Sequence, residues 1–237
     1  MNEESTVGGP LWQRVLGLGW PRVGTSRQGR PLVAGPGAPR SGTAVLLVGG
    51  VHGDEPASVE AVLELVRLVG QDRLAQDGVL VIPALNPDGL VAGSKNSAAD
   101  VDLNRNFPAR NFTTQHAPGY HPGPHPLSEP ETAALAQVLE LCEARAVITV
   151  HAPFACINFD GPALAWAEAV AAACGYPARA DLGYPTPGSF GSWWGVDRGL
   201  PVLTIELPAG PYAEFAAAAE KALQASVAWA VGRTGPG

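Results

Sequence analysis

Four short apolar runs, separated by segments with helical spacing, constrain the fold of this chain more than any other feature. They span residues 44–48, 79–82, 146–150 and 202–205. Such runs are typical of buried strands. Apolar residues recur at helical spacing in residues 57–69, which end at Gly70, and in residues 163–174, which end at Gly175. Strands that alternate with helices predict an α/β fold with a mostly parallel sheet and helices on both faces.

Each apolar run leads to a side chain that can take part in chemistry. The four residues are His52, Asn86, His151 and Glu206. In open α/β sheets, ligands bind in the crevice beyond the carboxyl ends of the strands. A lone histidine after a strand is usually a surface or core residue, but four such coincidences favour a shared site. The sequence therefore predicts that these side chains meet at one edge of the sheet.

The segment after the first run, HGDE at residues 52–55, contains a histidine and a glutamate three positions apart. A catalytic zinc typically takes three protein ligands from His, Glu, Asp or Cys and leaves the fourth position to water. Gly53 would let the backbone turn tightly, and Pro56 suits the first turn of a helix. This spacing also occurs in solvated turns, so the pair alone is weak evidence. Its place beside two further strand ends favours a zinc hydrolase.

The composition argues against several classes of protein. A formal net charge of −7 without a basic stripe argues against a nucleic-acid partner. There is no apolar run of about 20 residues, so no membrane span is expected. The first ten residues, MNEESTVGGP, lack the apolar region of a secretory signal. Three cysteines without CxxC spacing predict reduced thiols in a cytoplasmic protein.

The length of 237 residues suits a single catalytic domain over residues 1–237. Residues 1–22 are predicted to be an irregular lead-in, with an amphipathic helix near residues 11–18 as the alternative. Residues 24–32 predict two strands joined by a turn at Gly29.

The middle of the chain is predicted to be mostly loop. NPDG at residues 86–89 indicates a turn, and residues 90–127 have little periodicity. Ser128 and Glu131 have the spacing of a capping box for the following helix. Residues 183–195, GYPTPGSFGSWWG, are predicted to be an aromatic, glycine-rich loop. The histidines at 116, 121 and 125 lie among prolines and glycines, which favours solvated side chains over a second metal site.

With these residues the chain resembles the zinc carboxypeptidases of the carboxypeptidase A superfamily. More narrowly, it resembles the bacterial murein peptide amidases, which are γ-D-glutamyl-diaminopimelate carboxypeptidases. The matching segments are GRPL (29–32), VHGDEP (51–56), NPDG (86–89), VDLNRNFP (101–108), SEPET (128–132), VHAPFACI (150–157), GYPTPGSFGSW (183–193) and TIELP (204–208). They occur in the family's order, and VDLNRNFP and TPGSFGSW are the most specific. The resemblance implies a mixed, mostly parallel sheet with helices on both faces.

The resemblance implies a metal site and a general base. His52, Glu55 and His151 would bind one zinc ion per chain. Glu206 would take a proton from the attacking water and hand it to the leaving amine. Asp102 would accept a hydrogen bond from the far nitrogen of His52 and so fix its tautomer. Zinc-bound histidines usually have such a carboxylate or carbonyl behind them.

The resemblance also implies substrate contacts. Asn104 and Arg105 would hold the terminal carboxylate of a small peptide substrate, since guanidinium groups bind carboxylates through two hydrogen bonds. The amidases carry an arginine upstream of VDLNRNF that stabilises the carbonyl oxyanion. The matching position here is Lys95, which offers a positive donor without the planar fork. We hypothesise that Lys95 serves that role.

The leading hypothesis is a zinc-dependent amidase that hydrolyses the γ-D-glutamyl–meso-diaminopimelate bond of murein peptides during peptidoglycan recycling. The loop at residues 183–195 would recognise the distal end of diaminopimelate. The alternatives are an N-acyl amino acid deacylase, similar to succinylglutamate desuccinylases and aspartoacylases, and a general metallocarboxypeptidase. The deacylases usually carry a further β-rich domain, whereas here one predicted helix over residues 214–231 follows Glu206. Nucleotide binding and serine hydrolysis are disfavoured, because neither GxGxxG nor GxSxG is present.

Overall fold

A six-stranded mixed sheet forms the centre of the computed structural model, which describes residues 8–234. The strands of the chain are β1 (Arg22–Thr25), β2 (Pro31–Val33), β3 (Val45–Val48), β4 (Val79–Ile82), β5 (Ala146–His151), β6 (Phe154–Asp160), β7 (Ala178–Arg179) and β8 (Val202–Pro208). The order in the large sheet is β4-β3-β5-β8-β6-β7. The first four of these are parallel, and β6 runs antiparallel to β8. The predicted mixed, mostly parallel sheet is confirmed.

Helices cover both faces of this sheet, as the sequence predicts. They are α1 (Gly8–Leu16), α2 (Pro56–Val69), α3 (Gln71–Gln76), α4 (Pro87–Ala92), α5 (Pro130–Cys142), α6 (Leu164–Cys174) and α7 (Ala216–Thr234). Alternate residues of β3 separate the two layers: Val45 and Leu47 pack with α1, α2, α6 and α7, whereas Leu46 and Val48 pack with α5. Among residues 8–234, no helix is long and apolar enough to cross a membrane.

The N-terminal segment differs from the predicted irregular lead-in over residues 1–22. Residues 8–16 form α1, which buries Leu11, Trp12 and Val15, so the amphipathic alternative was closer. Residues 1–7, which include most of the segment tested for a secretory signal, lie outside the described residues. The predicted strand pair comes next, as β1 and β2 pair antiparallel.

Several segments contain regular structure that the sequence did not predict, including α3 and β7. NPDG does not form a simple turn: Asn86 caps α4, its Oδ1 accepting the backbone N–H of Gly89 at 2.9 Å. The end of the predicted aromatic loop begins a π-helical segment, Gly191–Asp197. Strand β6, within the VHAPFACI stretch and beyond it, was not predicted either. These elements are short, and tertiary contacts rather than periodicity define them.

The long segment after α4 has one short 3₁₀ turn, Leu103–Arg105, and is otherwise irregular up to α5. The side chain of Asn106 links its distant parts. Its Nδ2 donates to the carbonyls of Pro122 at 2.7 Å and His125 at 3.1 Å, and its Oδ1 accepts the hydroxyl of Thr132 at 2.6 Å. Hydrogen bonds from one buried amide therefore take the place of secondary structure here.

The predicted capping box at the start of α5 is wrong. The N-cap residue is Glu129, because the helix begins at Pro130, one residue later than the predicted cap implies. Ser128 Oγ instead accepts a hydrogen bond from Asn106 at 2.9 Å. Glu131 is fully buried, and its Oε1 accepts the backbone N–H of Arg27 at 3.0 Å. Both side chains connect α5 to distant segments rather than to its own first turn.

Glu131 should make the stability of the protein fall as the pH rises. Burial raises the pKa of Glu131 from 4.5 to about 7, and the carboxylates of Asp88 and Glu129 add to the increase. The native state thus keeps a proton that the unfolded chain releases near 4.5, so this contribution is present below that pH and is lost as the pH rises through 7. From pH 5 to pH 8, wild type is expected to lose about 2 kcal/mol of unfolding free energy that Glu131→Gln does not lose. The variant should therefore become more stable relative to wild type as the pH rises.

Urea unfolding at both pH values measures this difference. Glu140→Gln is the matched control on the same helix, because that side chain is 63% exposed and its ion pair with Arg198 lies at the surface, where such a pair contributes little to stability. An equal effect of Glu131→Gln at pH 5 and pH 8 would contradict the prediction.

Candidate metal centre

The carboxyl ends of β3 and β5 bring three potential metal ligands together. One ligand atom from each of His52, Glu55 and His151 lies within 4.8 Å of the others. His52 Nδ1 is 2.8 Å from Glu55 Oε1, and His151 Nδ1 is 3.2 Å from Glu55 Oε2. The two imidazoles therefore meet at a single carboxylate, in the three-residue donor set that catalytic zinc uses.

Local backbone structure explains the placement of the first two residues. Helix α2 begins at Pro56 with Glu55 at its N-cap, but the Glu55 side chain makes no capping hydrogen bond and faces the imidazoles instead. A Cβ at position 53 would overlap the backbone of Gly89 and Leu90. Glycine is thus required by the close packing of this turn against α4, and the backbone of Gly53 does not lie in the left-handed region.

The far nitrogen of His52 contacts a buried carboxylate. Asp102 Oδ1 lies 3.1 Å from His52 Nε2 and also accepts the backbone N–H of Asn104 at 2.8 Å. Asp102 Oδ2 is 2.8 Å from the ammonium of Lys95. The contact between Asp102 and Nε2 of His52 orients the imidazole so that its Nδ1 faces Glu55. Despite burial, the hydrogen bond and charge of His52, with the nearby Arg105 and Lys95, hold the pKa of Asp102 below its usual range.

The electrostatics of the cluster suit a bound cation. Burial alone would lower the pKa of His52, but hydrogen bonds to Asp102 and Glu55 outweigh it and raise the pKa to about 9. Burial alone would raise the pKa of Glu55, but the charge of His151 and hydrogen bonds to both imidazoles lower it to about 2. The two carboxylates therefore stay ionised and require positive charge beside them, which a divalent cation on Nδ1 of each histidine would supply.

Glu206 lies next to these residues in the sheet. The register of β5 and β8 pairs it with His151, and its side chain is buried at 4% exposure. Its Oε2 has no hydrogen-bond partner among residues 8–234. Burial raises the pKa of Glu206, with the charge of Glu55 adding to the increase and His151 opposing it. An acid placed in this way can exchange protons with a group bound at the cluster.

The other predicted site residues line the same pocket. Asn104 Oδ1 accepts the backbone N–H of Phe190 at 3.0 Å, which leaves its NH₂ group as a donor. The Arg105 guanidinium lies 5.3 Å from the ring centroid of Tyr120 and 5.9 Å from that of Tyr184. The Lys95 ammonium donates to the carbonyl of Gly119 at 3.1 Å, in addition to its ion pair with Asp102.

Some strand-end and loop residues lie outside this pocket. Asn86, the fourth strand-end residue, caps α4 and donates to the carbonyls of Lys95 and Asn96, both at 3.1 Å. The rings of His116 and His121 meet edge to face at 4.8 Å in the exposed loop. In the part of the chain that the structure describes, His52, Glu55 and His151 are the one group of three side chains that could hold a metal ion.

Sequence reasoning missed several residues of the pocket wall. They are Asp54, Tyr120, Thr149, Asn158, Asp160, Tyr184 and Thr204. The threonines and β6 residues belong to strands whose alternate positions face the metal site. The alternation of apolar and polar residues in FACINFD, residues 154–160, was the available signal for a strand. The segment contains too few apolar residues for this alternation to stand out.

A family model described as zinc carboxypeptidase matches residues 21–162, more than half of the chain. The chain belongs to the zinc carboxypeptidase family. It is therefore a hydrolase that acts on peptide bonds, as the resemblance implied, and zinc is the metal that the family implies for the cluster.

Relatives of this zinc carboxypeptidase confirm the predicted branch. It is 35% identical over 223 residues to murein peptide amidase A of Vibrio campbellii, a match that covers 87% of each chain. It is also 35% identical over 202 residues to murein peptide amidase A of Escherichia coli K12, covering 80% of this chain and 81% of that protein. The crystal structure of murein-tripeptide amidase MpaA from Escherichia coli O157 matches with a TM-score of 0.73 at 33% identity, covering 89% of this chain and 91% of that one. Thrombin activatable fibrinolysis inhibitor, at 19% identity and a TM-score of 0.71, shares the fold.

Removal of either histidine should abolish tight zinc binding. His52→Ala and His151→Ala each remove one of three ligands, and Asp102→Asn is expected to weaken zinc affinity about 10- to 100-fold by releasing the His52 ring. Zinc competition with a chromophoric chelator measures these affinities. His116→Ala is the control and is expected to keep the wild-type affinity, because that ring lies in the exposed loop. Equal zinc affinity in His151→Ala and wild type would contradict the assignment.

Proposed function

We propose that this zinc carboxypeptidase hydrolyses the γ-D-glutamyl–meso-diaminopimelate bond of murein peptides. The observation that carries the proposal is the juxtaposition of the His52, Glu55 and His151 cluster with the unpartnered carboxylate oxygen of Glu206 within residues 8–234. The murein peptide amidases that the chain resembles over most of both lengths support the substrate. The N-acyl amino acid deacylase and the general carboxypeptidase are not favoured by these relatives.

In this proposal, the cluster holds one zinc ion per chain through Nδ1 of each histidine and the Glu55 carboxylate. A bound zinc ion would polarise the scissile carbonyl and increase the acidity of a water molecule. Asp102 holds the His52 ring so that Nδ1 stays directed at the cluster. Its ion pair with Lys95 keeps the Asp102 carboxylate in place.

Glu206 is the proposed general base. A carboxylate within hydrogen-bond reach of the attacking water accepts its proton, and the same group then donates that proton to the leaving nitrogen. Burial raises the pKa of Glu206, so the carboxylate is a stronger base than one in water. Its Oε2 is free to accept this proton, since it has no other partner within the described chain.

Asn104 and Arg105 are the proposed binding site for the terminal carboxylate. The amide of Asn104 is fixed by its bond to the Phe190 N–H, and Arg105 Nη1 donates to the carbonyl of Asn104 at 2.6 Å. These contacts restrain both donors before the substrate arrives, so less side-chain entropy is lost on binding. A substrate with a free carboxylate would thus be held with its last amide bond at the metal.

The proposal also includes the cellular compartment of the enzyme and the residues that form its catalytic domain. The cysteines Cys142, Cys156 and Cys174 are unpaired, which agrees with a reducing compartment. We therefore propose a cytoplasmic enzyme of peptidoglycan recycling in which residues 1–237 act as a single catalytic domain.

Glu206→Gln is expected to abolish hydrolysis without loss of zinc. The assay measures release of diaminopimelate from L-Ala-γ-D-Glu-meso-diaminopimelate by mass spectrometry. Wild type should release it, whereas the variant should lose at least about 10²-fold in kcat because the amide cannot accept the proton. Zinc content is the control measurement, and it should match that of wild type.

Absence of diaminopimelate release from zinc-loaded wild type would contradict the proposed substrate. The assay would then continue with N-acyl amino acids and ordinary C-terminal peptides, which represent the two alternative functions. Full activity of Glu206→Gln would contradict the proposed base.

Lys95→Ala tests the proposed oxyanion role. Its ammonium contacts the Asp102 carboxylate and the Gly119 carbonyl and lies 3.6 Å from the centroid of the Tyr120 ring. In the proposed role, the N–H group beside this ring turns to a developing oxyanion. Loss of one such donor typically lowers kcat by about 10²-fold. Lys221→Ala, an exposed lysine on α7, is the matched control and should behave as wild type. Full kcat in Lys95→Ala, or a loss that merely tracks loss of zinc, would contradict the role.

A further inference from the structure

The pocket continues from the metal site along one face of the sheet. Strand registers place side chains of β5, β8 and β6 in successive rows. The first row is His151, Glu206 and Cys156, and the second is Thr149, Thr204 and Asn158. Alternate residues of a strand share a face, so the second row lies on the same side as Glu206. All three residues of the second row line the pocket, and the two threonine hydroxyls are 2.9 Å apart.

A carboxylate stands in the third row. Asp160 pairs with Val202 across β6 and β8, four residues along β6 from Cys156, the partner of Glu206. The distance along the strand is about 13 Å, since each residue rises about 3.3 Å. Asp160 is half-buried and lines the same pocket as the metal ligands. One face of the sheet therefore carries an acid at each end of the pocket floor.

The carboxylate of Asp160 has no partner among the described residues, and unlike Glu206, which also has an unpartnered oxygen, Asp160 lies away from the metal ligands. Glu55 and Asp102 each contact an imidazole, whereas the Asp160 carboxylate has neither a hydrogen bond nor an ion pair to any side chain or backbone group within residues 8–234. Burial raises the pKa of its carboxyl group, and no neighbouring cation in that part of the chain opposes this effect. A half-buried carboxylate without a counter-charge is unfavourable unless a ligand supplies one.

Two glycines of the aromatic segment provide the space for this side chain. A Cβ at position 191 would lie 2.6 Å from Asp160 Cγ and closer still to Oδ2. A Cβ at position 195 would lie 3.0 Å from the carbonyl carbon of Asp160 and closer to its Cβ. Any side chain at position 191 would occupy the place of the carboxylate. The π-helical segment thus accommodates an acid at this wall of the pocket.

We propose that Asp160 binds a primary ammonium group at the end of the leaving residue's side chain and so selects that residue. The inference rests on the proposed function for the direction of the substrate, with its terminal carboxylate at Asn104 and Arg105. An extended side chain of four or five bonds would then reach along the second row towards Asp160. An apolar side chain of the same length would cover the carboxylate without pairing it, at a cost in binding.

A pair of tripeptides that differ in one group tests this assignment. Both contain L-Ala-γ-D-Glu; one ends in meso-diaminopimelate and the other in 2-aminopimelate, which lacks only the distal ammonium. Wild type is expected to prefer the first by about 10- to 100-fold in kcat/KM, the effect of one charge-assisted hydrogen bond. Asp160→Asn, which is nearly isosteric, should lose most of this preference, mainly through a higher KM for the diaminopimelate peptide.

Zinc content of Asp160→Asn should match that of wild type, because the Asp160 carboxylate contacts no metal ligand. The thermal midpoint should be equal to or higher than that of wild type, because the variant loses no partner among the described residues and removes an unpaired half-buried charge. Asp72→Asn, an exposed aspartate on α3, is the matched control and should keep the wild-type preference. An unchanged preference in Asp160→Asn, or equal rates on the two tripeptides in wild type, would overturn the inference and leave the proposed function intact.

Hippuryl-lysine and hippuryl-norleucine separate this inference from the proposed function. If wild type cleaves neither tripeptide but prefers hippuryl-lysine in a manner that Asp160→Asn abolishes, the murein substrate is wrong and the role of Asp160 stands. If zinc-loaded wild type cleaves none of the four peptides, both are overturned.

Discussion

The structure depends on the sharing of one imidazole by two carboxylates, the buried Asp102 and the half-buried Glu55. Glu55 contacts Nδ1 of His52 at 2.8 Å, and Asp102 contacts Nε2 at 3.1 Å. Each carboxylate comes from a different part of the chain, the start of α2 and the long segment before α5. Because a buried charge that loses its partner costs several kcal/mol, neither segment can move away alone. The contact that orients the proposed zinc ligand therefore also attaches the long segment to the sheet.

Two asparagine amides extend this attachment through a segment that has little secondary structure. Asn86 caps α4 and holds the carbonyls of Lys95 and Asn96, and Asn106 joins Pro122 and His125 to the start of α5. An amide offers two donors and an acceptor, so one side chain can satisfy several backbone groups that a helix or strand would otherwise pair. The loop that carries the proposed substrate-binding residues is thus fixed from both of its ends.

Features that depend on strand ends were predictable from the sequence, whereas those that depend on tertiary contact were not. His52, His151 and Glu206 meet because parallel strands present their carboxyl ends at one edge, a rule that needs only the order of apolar runs. Asn86 obeys the same rule yet serves as a helix cap, since residue type alone does not distinguish a cap from a ligand. The capping box was wrong because the helix starts at Pro130, and the true partner of Glu131 is about a hundred residues away. No local pattern encodes such pairs.

The antiparallel strand β6 is the element whose absence from the sequence-based prediction had the largest consequence for the site. It places Asn158 opposite Thr204 and Asp160 opposite Val202, and so extends the face that carries Glu206 by two rows. Because the rows are fixed by backbone pairing, the backbone distance between the row of Glu206 and the row of Asp160 does not depend on side-chain flexibility. The proposed general base Glu206, in the first row, and the proposed specificity residue Asp160, in the third row, are therefore held at a fixed backbone spacing. A side chain too short to span it would leave the Asp160 carboxylate unpaired, so the sheet register itself would discriminate among substrates by length.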